Sequence, residues 1–378
     1  MPNPTFAWLA RSDALHSRVQ AYIHTTNHNR DTFEALSLDI ARFQADFIPG
    51  FARLVESRKS RLESVSAIPA VPVDAFRLAR IAVHPPEVDV VRYQTSGTTS
   101  GKPGVHSMRR TDTYQTSAIA WGQKGLLTPG ASLAAVVALL PEGTAQTSSL
   151  AAMAKMFMDA FDPIVEGASP KVAHPSRWLV RERGIDVQGL VAHLERAKAS
   201  NQALVIVATV IALVQLLEDL GTQRLDLWSN VVVMPTGGFK GKIREIATPE
   251  LRERVARAFG IPDGNIVGEY GMTELASQLY EGCLPGGCLQ SAAGYFRAPP
   301  WLDVCPVDAE TLCPVGVGEV GVARFVDIAN VDSAVCIVTQ DLIRNTECGL
   351  ELLGRRKGAT PRGCSLSTEE WLDGVARP

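Results

Sequence analysis

The stretch Thr95-Ser-Gly-Thr-Thr-Ser-Gly-Lys-Pro-Gly104 carries the most specific chemical signal in the chain. It follows the apolar run Val88-Asp-Val-Val-Arg-Tyr, whose composition predicts a strand. Hydroxyl side chains and flexible glycines just beyond a strand suit a loop that wraps phosphate oxygens. Backbone N–H groups and hydroxyls donate to the anion while Lys102 supplies positive charge. A Walker A loop needs four residues between its first glycine and the Gly-Lys pair, then Ser or Thr. Here only Thr98-Thr-Ser separates Gly97 from Gly101, and Pro103 follows Lys102, so the Walker reading fails. The bland alternative, a flexible surface turn, stays open on this segment alone.

Outward from the loop, apolar strand-like runs alternate with helical ones. Ser132-Leu-Ala-Ala-Val-Val-Ala-Leu-Leu predicts a buried strand, Asn230-Val-Val-Val-Met precedes a second glycine loop, and Gly264-Asn-Ile-Val-Gly precedes a third. Ala203–Leu217 is β-branched in its first half and has leucines at helical spacing in its second. It predicts a buried strand running into a helix that Gly221 caps, and it is too short to span a bilayer. Strands ending in glycine- or threonine-rich loops mark an α/β sheet that binds ligands at its strand ends. Upstream, Phe33, Leu36, Ile40, Phe43 and Phe47 recur at helical intervals until Pro49-Gly50, so residues 1–67 predict a helical segment. Residues 68–290 form the expected α/β core. Short strands and turns, as in Val320-Gly-Val-Ala-Arg-Phe-Val, predict a β-rich subdomain over 291–378.

Bulk composition narrows the class further. With 378 residues, 46% hydrophobic and 20% charged, the chain is neither disordered, collagenous nor coiled coil. A formal net charge of -3 gives no general attraction to nucleic acid or anionic membrane. The seven cysteines all lie from Cys283 onward, without a C-x-x-C, and the N-terminus lacks a signal-peptide pattern. Together these predict reduced thiols in a cytoplasmic protein.

Two further patterns fail their context tests. Gly316-Val-Gly-Glu-Val-Gly321 fits a dinucleotide fingerprint on paper but leads into a strand, so a hairpin turn is expected. Cys283, Cys288, Cys305 and Cys313 match no common zinc spacing; ordinary thiols are the expected reading, with a zinc knot left as the alternative.

Three segments join the first glycine loop in a fixed order: Pro235-Thr-Gly-Gly-Phe-Lys-Gly241, Gly268-Glu-Tyr-Gly-Met-Thr-Glu274 and Thr339-Gln-Asp-Leu-Ile343. Taken together they resemble the adenylate-forming (acyl-CoA synthetase and luciferase) superfamily. Within it the chain looks most like the LuxE acyl-protein synthetases, from about Ile68 to the end. Ala298-Pro-Pro-Trp, Ala329-Asn-Val-Asp-Ser and Arg362-Gly-Cys-Ser-Leu366 belong to that resemblance. It implies an α/β fold of mixed sheets with flanking helices and a small β-rich C-terminal subdomain. It also implies ATP-dependent activation of a carboxylic acid as acyl-AMP, with Mg²⁺, followed by acyl transfer to a thiol.

By the same resemblance, Thr95, Ser96, Gly97, Thr98, Thr99 and Lys102 would cradle the β- and γ-phosphates. Gly237 and Gly238 would admit the adenine and the acyl carbonyl. Tyr270 and Gly271 would border the adenine, Thr273 would bond the α-phosphate, and Glu274 would hold Mg²⁺. Asp341, assisted by Arg355, would accept the ribose hydroxyls. Taken singly, Tyr270 reads equally well as core, Glu274 as a helix-start carboxylate and Asp341 as a turn residue. His106 and Lys240 are basic residues beside glycine loops, where solvated side chains are common.

Only 23 residues follow Arg355. The resemblance therefore implies that the mobile lysine-bearing domain of most relatives is lacking, and that Lys240, Lys102 or Lys242 supplies the cation. Cys364 matches the family's acylated cysteine, and Arg362 beside it would favour a thiolate nucleophile. Its alternative is an inert cysteine. Two rival functions remain at this level: direct ligation to coenzyme A or a carrier-protein phosphopantetheine, and a non-catalytic nucleotide- or acyl-binding subunit. A multienzyme partner such as a reductase is expected by analogy. Trp121, Phe157, Phe161 and the helix near Leu213 are candidates for lining either a fatty-acyl tunnel or an aryl pocket.

Overall fold

The computed structural model describes residues 7–95, 103–162, 176–182, 184–225, 230–237 and 248–356. The chain divides into two compact units, each assembled from separated segments. One comprises residues 1–120, 272–277 and 298–378, and the other residues 121–271 and 278–297. The sequence-level boundaries at 67 and 290 follow local composition, whereas these units follow contacts.

In the second unit the three central strands are Ala135–Pro141, Leu204–Thr209 and Val231–Thr236, all parallel. Their side chains are buried on both faces, as continuous Val, Ile and Leu runs require when helices cover a parallel sheet. Antiparallel pairs flank them: Leu279–Glu281 with Tyr295–Arg297 on one side, and Trp178–Arg181 with Gly184–Ile185 on the other, so the sheet is mixed. The predicted strand-to-helix passage is present. Leu204–Thr209 runs straight into the helix Val210–Leu220, whose start is capped by the Thr209 hydroxyl and whose end by Gly221 at φ 56°. Leu213, Leu216 and Leu217 pack from that helix onto Ile206 and Val233.

The first unit is built on an antiparallel meander of Leu302–Val307, Val320–Asp327, Cys336–Thr346 and Gly349–Arg355, with Val71–Pro72 added in parallel. This is the expected β-rich C-terminal part. Gly318, at φ +86°, turns the chain into Val320–Asp327, so the glycine pattern at 316–321 is a turn. A separate hairpin pairs Val91–Gln94 with Val105–Met108, one strand on either side of the glycine loop. The phenylalanine stripe forms the helix Arg30–Phe47, burying Phe33, Leu36, Ile40 and Phe43. Pro49 ends it and also opens the next helix, Pro49–Ser57, at a position where its missing N–H costs nothing. Among the described residues no helix is long and apolar enough to cross a membrane.

Candidate active site

The hairpin fixes the mouth of the glycine loop. Thr95 N–H donates to the Gly104 carbonyl at 2.9 Å, and Gly104 N–H donates to Thr95 Oγ1 at 2.9 Å. Beyond Thr95, the candidates Ser96, Gly97, Thr98, Thr99 and Lys102 lie outside the described residues, as do Gly238, Lys240, Lys242 and Cys364.

The same unit holds Thr273, Glu274, Asp341 and Arg355. Thr273 Oγ1 donates to the Gln94 carbonyl at 3.4 Å, a long bond that ties this residue to the hairpin strand entering the loop. Asp341 and Arg355 are register partners on adjacent strands, with Arg355 Nε 3.6 Å from Asp341 Oδ1. Glu274 stands in a turn rather than at a helix start and is buried. Burial pushes its carboxyl up to about 7; the Arg355 cation pulls it down, and the Asp341 and Asp74 charges push it up. The first unit thus brings together the loop mouth, Thr273, Glu274, Asp341 and Arg355.

Gly237, Tyr270 and Gly271 belong to the second unit. Gly237 sits at φ +75°, where a side chain would be strained, directly after the strand Val231–Thr236. Tyr270 lies in the short strand Glu269–Tyr270, whose first residue pairs with Thr236. Glu269 is buried, accepts a hydrogen bond from Thr236 Oγ1, and is pushed up to about 7 by burial. Beside it, a Cβ at Gly271 would press on Glu269 Oε1, the end of that side chain.

Several supporting groups lay beyond the sequence reading. Glu281 accepts N–H bonds from Gly268 at 2.8 Å and Gly294 at 2.6 Å, and pairs with buried Arg252 at 2.7 Å. Asp327 accepts from Ala276 N at 2.9 Å, Ser277 Oγ at 2.8 Å and Ala329 N at 3.0 Å. Burial still raises its carboxyl to about 6 against those three bonds. His106, expected to be solvated, is instead 1% exposed, and burial lowers its imidazole to about 4. Its strand position explains the difference: Tyr93 and His106 are register partners on the buried face of the hairpin. The only available hint was the Ala329-Asn-Val-Asp-Ser run, whose polar residues prove to be buried.

The aromatic candidates for an acid pocket are core residues. Phe157 and Phe161 stack at 5.2 Å, Gly122 exists because a Cβ there would overlap the Phe157 ring at 2.6 Å, and Leu213 is fully enclosed. Trp121 is also buried, with Nε1 directed at the Arg297 carbonyl at 3.3 Å. Among the described residues no group of three His, Cys, Asp or Glu side chains could hold a metal. Cys283 instead donates to the Ile266 carbonyl.

This fold is that of the adenylate-forming ligases. The chain is similar to 2-hydroxyisobutyryl-CoA ligase in an open conformation with 2-HIB-AMP and CoA, at TM-score 0.57 and 12% identity, covering 92% of this chain and 70% of the ligase. The same ligase in its thioesterification state gives TM-score 0.56 at 13% identity, covering 94% and 67%. No curated protein sequence matches the chain. The acyl-protein synthetase, LuxE, family matches it over residues 59–373, and the chain belongs to that family. It is an acid–thiol ligase that uses ATP to activate a carboxylic acid as acyl-AMP and passes the acyl group to a thiol.

Proposed function

We propose that the chain loads a fatty or aryl acid onto its own Cys364 through an acyl-adenylate held by the four motifs. A carboxylate oxygen of the acid attacks the α-phosphorus of ATP and pyrophosphate leaves. The Cys364 thiolate then attacks the acyl carbonyl, and AMP departs with the bonding pair. The carboxylate and the phosphate repel one another, so hydroxyl and cationic groups must hold them in line. Thr95, Ser96, Gly97, Thr98, Thr99 and Lys102 take the outer phosphates in this reading. Thr273 exchanges its 3.4 Å bond to Gln94 for an α-phosphate oxygen. Gly237, Gly238, Tyr270 and Gly271 border the adenine and the acyl carbonyl. Asp341 and Arg355 receive the ribose, and Lys240 or Lys102 supplies the cation near the reacting carboxylate.

Glu274 would hold Mg²⁺ in this reading: its carboxyl is buried and makes no ion pair among the described residues. One protein carboxylate plus substrate phosphates is also how Mg²⁺ is commonly held. When bound, the ion would neutralise phosphate charge. The observation that carries the whole reading is the gathering of the loop mouth, Thr273, Glu274, Asp341 and Arg355 within one compact unit.

The test is a panel of fatty and aryl acids scored by ATP–pyrophosphate exchange, with hydroxylamine release of any acyl-enzyme. Exchange with at least one acid, and an acyl-enzyme that Cys364→Ser abolishes while exchange persists, is the expected result. Exchange with no acyl-enzyme, and thioester appearing on added coenzyme A, would remove Cys364 from the pathway. ATP binding without exchange for any acid would reject the enzymatic reading altogether.

A further inference from the structure

We propose that His106 and Asn330 are positioning residues that hold two successive backbone carbonyls, those of Thr273 and Glu274, and so orient the nucleotide-binding side chains between them. The inference rests on the reading of Thr273 and Glu274 as nucleotide- and metal-binding groups. All four residues belong to one compact unit.

His106 Nδ1 lies 2.7 Å from the Thr273 carbonyl. A carbonyl only accepts, so Nδ1 carries the hydrogen and the tautomer is set by this bond. The ring is fixed from outside by the hairpin register, Tyr93 opposite His106, and by the edge of Phe76 at 5.7 Å. Asn330 approaches the next residue from a different element. Its Nδ2 donates to the Glu274 carbonyl at 2.8 Å and to the Ala334 carbonyl at 3.2 Å.

Asn330 is anchored in turn. Gln44 Nε2 donates to the Asn330 carbonyl at 2.8 Å, and Asn330 N–H donates to the Asp327 carbonyl at 3.1 Å. His106 and Asn330 also line one small cavity, and Asn330 Oδ1 is buried with no partner among the described residues. The Thr273–Glu274 turn is therefore pinned on two sides by side chains that are 1% and 2% exposed.

Two carbonyl anchors on consecutive residues fix the two peptide planes that flank the Glu274 Cα. The direction of the Thr273 hydroxyl and the Glu274 carboxylate then follows from the backbone rather than from rotamer choice alone. Neither His106 nor Asn330 touches the nucleotide in this scheme, and both act through the turn. His106 also joins that turn to the strand Val105–Met108.

The experiment measures amide hydrogen exchange over residues 272–277 of the full chain, together with kcat and KM for ATP in pyrophosphate exchange. His106→Ala is expected to speed exchange of that segment about tenfold, the size of one lost buried hydrogen bond. It should raise KM for ATP by a similar factor while changing kcat less. His106→Asn, whose amide N–H replaces Nδ1–H, recovers most of both effects. His106→Gln, whose amide falls near Nε2 instead, does not. Asn330→Asp, which loses the donor but keeps the shape, repeats the alanine phenotype.

Unchanged exchange in His106→Ala, or His106→Asn performing no better than His106→Gln, overturns the proposal. Faster exchange with an unaltered KM for ATP overturns it as well. Should His106→Ala fail to fold, the Asn–Gln comparison decides alone. A wild-type protein without pyrophosphate exchange defeats the proposed function, whereas the hydrogen-exchange comparison still decides whether His106 and Asn330 hold the turn.

Discussion

Replacing Glu269 by glutamine should stabilise the protein in alkaline buffer and leave it unchanged in acid. Glu269 is enclosed beside the Thr236 hydroxyl, and burial raises its carboxyl from 4.5 to about 7. The folded chain therefore binds this proton more tightly than the unfolded chain does. Stability from Glu269 is complete below the unfolded value of 4.5 and is lost as pH rises through about 7. At about 1.4 kcal/mol per pH unit, the ionised form costs about 3 kcal/mol once both states are deprotonated.

Glutamine occupies the same space, keeps a hydrogen bond to Thr236 and never ionises. The unfolding free energies of wild type and Glu269→Gln, from urea denaturation, should agree within about 0.5 kcal/mol near pH 4.5 and differ by about 2–3 kcal/mol near pH 8, the variant being the more stable. Contributions from Glu274 and Asp327, which burial also raises, cancel in the comparison. An equal difference at both pH values would show that Glu269 ionises normally and that its enclosure has no electrostatic consequence.

Asp332 accepts from Ser12 Oγ, from Arg109 Nε at 2.8 Å and from His16 Nε2 at 3.1 Å, all within the first unit. Asp332→Ala strips a buried cation of its anion and should lower stability by about 3–5 kcal/mol, read by urea denaturation. A loss under about 1 kcal/mol would mean that water replaces the carboxylate there. Gly271→Ala places a methyl group against Glu269 Oε1 and should cost about 1–3 kcal/mol; thermal denaturation matching wild type would contradict the packing. Asp341→Asn should raise KM for ATP about tenfold while retaining most of kcat, since one charged acceptor for ribose becomes a neutral one. An unchanged KM would remove Asp341 from the nucleotide site.

Local patterns carried much of the fold. The runs 135–141, 204–209 and 231–236 are continuous apolar stretches because both faces of a parallel strand are covered, and such stretches are visible without a partner. The hairpin flanking the glycine loop was half legible. Its first strand followed from Val-Val-Arg-Tyr, but the inward direction of His106 depended on pairing with Tyr93 on the other side of the loop, thirteen positions earlier (106 − 93). The aromatic residues near 121–161 were ambiguous for a similar reason. Apolar character predicts burial, but burial in a packed core and burial against a ligand look alike in one dimension.

By itself the sequence determined the order of strands, the glycine loops that end them, and the chemical types of the residues offered to a nucleotide, because those depend on neighbours a few positions away. Only the tertiary structure decided which groups support them. His106 meets Thr273 across 167 positions, Asn330 meets Glu274 across 56, and Asp332 meets His16 across 316. A buried hydrogen bond is specified by the two surfaces that meet around it, and no periodicity along the chain records that meeting.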